Sequence, residues 1–91
     1  MEGTLAQILL FAGSFAPNGW AFCTGQIMQI QHNEALFSLL GTMYGGDGMK
    51  TFALPDLRYK DDQGNQVTGH EIGKPSYIIC TMGIYPTRSD Y

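Results

Sequence analysis

The first half of this 91-residue sequence is nearly without charge. From Met1 to Gly46 the ionised side chains are Glu2 and Glu34 alone, and all five bases lie between Lys50 and Arg88. Charged residues total 14%, against roughly 25% in an average soluble domain. With no cluster of Lys or Arg there is nothing to neutralise a phosphate backbone, so nucleic acid is excluded as a partner. Long apolar runs are lacking too. The longest, Ile8 to Ala12, is far too short to cross a bilayer as a helix, so no membrane insertion is expected. Met1-Glu2-Gly3 lacks the basic start of a secretory signal, so the expectation is either a leader already removed or export by another route. Cys23 and Cys80 have neither metal nor redox spacing, and they read as two small buried hydrophobes. His32 and His70 stand apart, with no second histidine at ligand spacing, so no metal and no cofactor are expected.

Glycine, by contrast, supplies 12 of the 91 residues, nearly twice the usual share of about 7%. Hydrophobic residues at 44% exclude a disordered chain. The length allows one domain, 1–91, with a core so small that oligomerisation is a natural supplement. Short apolar runs bounded by turn residues predict strands at Leu5–Phe11, Trp20–Cys23, Gln26–Ile30, Thr51–Leu54 and Tyr77–Tyr85. Asn33 is placed to cap a helix in which Leu36, Leu39 and Leu40 share a face, with Gly41 as its terminator. Thr42–Gly48 reads as a glycine loop, and Arg58–Lys74, polar and without apolar period, as an exposed loop. The expected fold class is α+β, mainly β, with small antiparallel strands, one short helix and glycine-rich loops.

Motifs that could carry chemistry fall away on inspection. Met49 separates Gly48 from Lys50 and a helix precedes, so the glycine stretch does not match a phosphate loop. Asp61-Asp62-Gln63-Gly64-Asn65 lacks the ligand spacing and closing Glu of a calcium loop and reads as a solvated turn. Ser14 is not in a nucleophile elbow, and no Ser, Cys or Thr has a base at recognisable spacing. No catalytic residue is therefore assigned. One polar set remains, Asp47, Asp56 and Arg58. The Arg58 fork suits a carboxylate, and pairing with Asp47 or Asp56 would tie the glycine loop to the following strand.

Three motifs resemble the phage tail collar domain family. They are Gly13-Ser14-Phe15-Ala16-Pro17-Asn18-Gly19-Trp20-Ala21-Phe22-Cys23-Thr24-Gly25, then Leu36 to Gly48, then Thr51-Phe52-Ala53-Leu54-Pro55-Asp56-Leu57-Arg58. Tyr77-Ile78-Ile79 and Gly83-Ile84-Tyr85-Pro86 look like its closing strand. The resemblance implies a structural or attachment module of tail-fibre type without enzymatic activity, located extracellularly or on a virion. Relatives on short tail fibres are intertwined homotrimers that engage host-surface glycans. Longer members carry a Gly-rich insert with a His-x-His pair after the Pro-Asp-Leu-Arg motif. Here Tyr59–Ser76 is short and holds only His70, so the chain corresponds to the family core alone.

Two roles follow as expectations. In one, the domain is a self-assembling fibre subunit, a homo-oligomer or homopolymer. Exposed strand edges near Leu5–Phe11 or Tyr77–Tyr85 would take a strand from a neighbour, burying Leu5, Leu9, Phe11, Ile79 and Tyr85. In the other, it binds a cell-surface glycan on aromatic platforms such as Trp20, Tyr44, Tyr59 or Tyr85, with core packing the stronger expectation for Trp20.

Overall fold

Ser76–Cys80 carries apolar side chains on both faces, the pattern of a strand covered from two sides. In the computed structural model, which describes residues 1–89, that segment is the central strand of a three-stranded sheet. The elements in chain order are β1 (Ile8–Phe11), β2 (Trp20–Phe22), β3 (Ile27–Gln29), α1 (Glu34–Leu40), β4 (Thr51–Ala53), β5 (Tyr59–Lys60), β6 (Gln66–Val67), a 3-10 turn (Gly69–Ile72) and β7 (Ser76–Cys80). Sheet order is β1-β7-β2, with β3-β4 and β5-β6 as separate antiparallel pairs. The fold class is the mainly-β α+β arrangement expected from the sequence.

Alternation along β7 divides the core. Ile79 joins Leu5, Cys23, Leu36, Leu40, Phe52 and Leu54 on one side, while Ile78 and Cys80 pack with Trp20 on the other. The helix covers the first cluster through Leu36 and Leu40, and Phe37 meets Phe52 with ring centroids 5.5 Å apart. Asn33 precedes the helix but its side-chain oxygen caps no amide. Its amide group instead donates to the Gln29 carbonyl at 2.9 Å. The backbone there (φ −134°, ψ 29°) is outside the extended region that aims a capping side chain at the first turn. Gly41 ends the helix at φ 54°, as expected.

Three segments differ from expectation. The first strand begins at Ile8, because Ala6 adopts φ 71° and, with Gln7, opposes the single residue Cys80 in a bulge. Ala6 N donates to the Cys80 carbonyl and Cys80 N to the Gln7 carbonyl, both at 2.9 Å. The last strand stops at Cys80 rather than reaching Tyr85. Thr81 N and Met82 N both turn onto the Gly19 carbonyl, and Ile84 comes back to bridge Thr4. A Cβ on Gly83 would collide with the Gly3 carbonyl oxygen and lie 2.6 Å from Cys80 Sγ, so this reversal requires glycine. Finally, 58–74 is not a featureless loop but holds the β5–β6 hairpin and the 3-10 turn. Asp61 accepts from Gln63 N and Asn65 N at the hairpin tip. Polar side chains rather than burial hold this hairpin, which is why no apolar period announces it.

Candidate functional site

Asp47, Asp56 and Arg58 do not form one set. Asp47 Oδ1 accepts from the backbone N–H groups of Met49, Lys50 and Thr51 at 2.9, 2.9 and 3.0 Å. Those backbone bonds pull its pKa down to about 2. Asp47 thus folds the glycine loop on itself, and Ala53 N fastens the loop to β4 through the Gly45 carbonyl. Gly46 lies so close to Phe52 that a Cβ would strike its Cα and come within 2.7 Å of its N. Arg58 turns away from this loop. It grips Asp56 through two side-chain bonds, Nε to Oδ1 at 2.9 Å and Nη2 to Oδ2 at 2.7 Å. Its guanidinium holds the Asp56 carboxyl below the ordinary value. Arg58 Nη2 also donates to Gln66 Oε1, so the pair ties the turn after β4 to β6. The sequence chose the right partner types, but the glycine loop needs no cation because three amides already satisfy Asp47.

Cys23 and Cys80 are free and buried, and burial followed by the Asp56 charge raises the Cys23 pKa to about 11. Among the described residues, no three His, Cys, Asp or Glu gather as a metal site would require. His70 lies against the Phe22 ring, centroids 5.3 Å apart. A cavity of about 10 Å³ beside Arg58 has room for little more than one water. A shallow groove of about 620 Å³ runs between Gln29, Gln31, Glu34, Met49 and Lys50.

The aromatic candidates are dispersed in role. Trp20 is 6% exposed and its Nε1 donates to the Met1 carbonyl, so it serves the core. Tyr59 donates its hydroxyl to the Pro75 carbonyl, and Lys74 Nζ sits over its ring at 5.2 Å. Tyr85 meets Ser38 Oγ through its hydroxyl at 2.8 Å and holds the C-terminal segment against α1. Tyr44 is exposed within the glycine loop.

Among the five residues expected at subunit contacts, Leu5 and Ile79 are buried in the chain's own core. β7, pictured as a possible open edge, is paired on both sides. Phe11 packs partly against the Trp20 cluster, and Leu9 and Tyr85 are exposed. The sequence reading missed Ile8 and Leu10, which are exposed beside Leu9 on β1, and Phe15, exposed in the following turn. A signal was present: Ile-Leu-Leu-Phe is apolar on both faces, yet only one of its two edges finds a strand in this chain.

A family model, the phage tail collar domain, matches residues 6–60, more than half of the chain. The chain belongs to the phage tail collar domain family. No curated protein and no solved structure matches it. Membership makes this collar-domain protein a structural protein of the phage-tail type, associated with the virion tail. The matched region spans β1 to β5 and includes the glycine loop and the Asp56–Arg58 pair. Within this collar domain β1 and β2 do not pair with each other. Both pair with β7, which lies beyond the matched residues and completes the sheet. Among the described residues, no helix is long and apolar enough to cross a membrane.

Proposed function

We propose that this collar-domain protein is a non-enzymatic structural subunit that self-assembles into an extracellular or tail-like fibre used for attachment. The chain acts in this reading as a single domain over 1–91, the family core without the long insert. The observation that carries it is β1. Ile8, Leu9 and Leu10 are 38%, 37% and 55% exposed, form an uncharged strand, and lie at the edge of the main sheet. Solitary exposed leucines are common on protein surfaces, but a contiguous apolar strand at a sheet edge is a template for another strand. Glycan binding has less support, because Trp20 is buried and Lys74 occupies the face of Tyr59.

Sedimentation velocity and negative-stain microscopy of the purified protein test the proposal. The expected result is a defined oligomer or filament at micromolar concentration. A stable monomer over that range rules it out.

A further inference from the structure

The sheet has two outer edges, and the chain treats them differently. At β2, each residue that faces away from β7 has one of its two backbone groups occupied, so a strand added there could not pair fully: Trp20 N donates to the Pro17 carbonyl, and the Phe22 carbonyl accepts from Thr24 N and Gln26 Nε2. At β1 the phase of the ladder is fixed by the bonds joining Ala6 and Gln7 to Cys80. Antiparallel pairing alternates, so Leu9 and Phe11 face β7 through their partners Ile78 and Ser76. The N–H and C=O groups of Ile8 and Leu10 therefore point outward. Among the described residues, no hydrogen bond beyond the ladder reaches either one. No Pro, Lys or other edge-blocking residue stands in Ile8–Phe11. The remaining open edge of comparable apolar character, β3, is closed at Gln29 by the Asn33 amide.

We infer that β1 pairs with β1 of a second copy of this chain, antiparallel about a two-fold axis through Leu9. This rests on the self-assembly reading and gives it a contact. The open groups are two residues apart, so the arrangement is self-complementary. Ile8 faces Leu10 of the partner subunit, and each outward N–H meets an outward C=O. Leu9 then faces Leu9 of the partner subunit as a non-hydrogen-bonded pair, with Cα atoms about 4.5 Å apart. The result is one continuous sheet, β2-β7-β1 joined to its symmetry copy. No charge on β1 or on Gln7 and Ala12 beside it opposes the approach. A contact of this kind closes on itself, so fibre growth uses a second surface. The exposed Met82 and Ile84 near the chain's end offer one.

Two variants of the full chain test the register. Leu9→Cys places thiols opposite each other at disulfide distance, while the native cysteines are buried. Mild oxidation is expected to convert it almost completely to a covalent dimer on non-reducing gels. Ile8→Cys, facing leucine, is expected to give little. Leu10→Pro removes an N–H that points outward, so the fold should persist by circular dichroism while sedimentation shows loss of the dimer. An Leu9→Cys protein that assembles without cross-linking overturns the two-fold pairing but leaves self-assembly standing. A folded Leu10→Pro protein that assembles like wild type does the same. A monomeric wild type overturns both. Should Leu10→Pro fail to fold, the cross-linking result decides.

Discussion

Asp47 shows how one side chain can replace a network. Its carboxylate organises three consecutive amides that would otherwise compete for water. Because its folded pKa, about 2, lies below the ordinary 3.8, the unfolded chain binds more protons between those values. Stability from Asp47 is thus fully present above pH 3.8, falls as the pH drops, and is gone below about 2. Asp47→Ala is expected to lower the melting temperature at neutral pH. Thermal unfolding of both proteins across pH should show the gap closing through that acidic window. A gap unchanged down to pH 2 would mean that the carboxylate charge contributes nothing. That Arg58 would pair with a carboxylate, Asp47 or Asp56, was legible from residue type. The separation of Asp47 from Arg58 was not, since nothing in the sequence places Oδ1 of Asp47 against three amides of its own loop. Asn33 carries a related lesson. Residue type marked a cap, but the local φ and ψ sent its amide to Gln29 instead.

Helix α1 is seven residues long, too short to persist alone in water, and depends on its buried face. Leu36 is 1% exposed within the main cluster. Leu36→Ala is expected to cost about 2–5 kcal/mol, a large share of a domain's roughly 5–15 kcal/mol. Urea unfolding measures it, and Leu39→Ala, at a half-buried position, should cost less. The helix face was readable because its leucines recur at helical spacing. Strand ends were harder. Backbone bonds extend the β3–β4 ladder to Gln26 and Ile30, matching the expected Gln26–Ile30 segment, although the strand itself is shorter. The ends of β1 and β7 instead depend on each other: the Ala6–Gln7 bulge and the Met82–Gly83 reversal meet around Cys80.

For the whole molecule, low charge in the first half makes any contact through β1 apolar and backbone-driven. Raising salt from about 0.1 to about 1 M screens surface charges and strengthens effective burial if the salt is sulfate. Sedimentation should therefore show the oligomer retained or enlarged at high sulfate. Dissociation under those conditions would point to ion pairs from the charged second half as the contact. Deleting Met1–Ala6 would be a poor probe of assembly. Leu5 belongs to the core, Leu5 N bonds the Ile84 carbonyl, and Trp20 uses the Met1 carbonyl, so truncation undermines folding itself.

The amino-acid sequence by itself determined the class of structure, the leucine face of the helix, the glycine loop and the collar motifs. Each depends on residue type, short spacing or backbone permissiveness, all local properties. Only the tertiary structure decided that β7 lies between β1 and β2, that Leu5 and Ile79 are core, and that Asp56 rather than Asp47 holds Arg58. It also decided which edge of the sheet is open. An apolar strand reads the same in sequence at a centre or an edge. What separates the two is whether its outward N–H and C=O groups find partners, and those partners lie far along the chain.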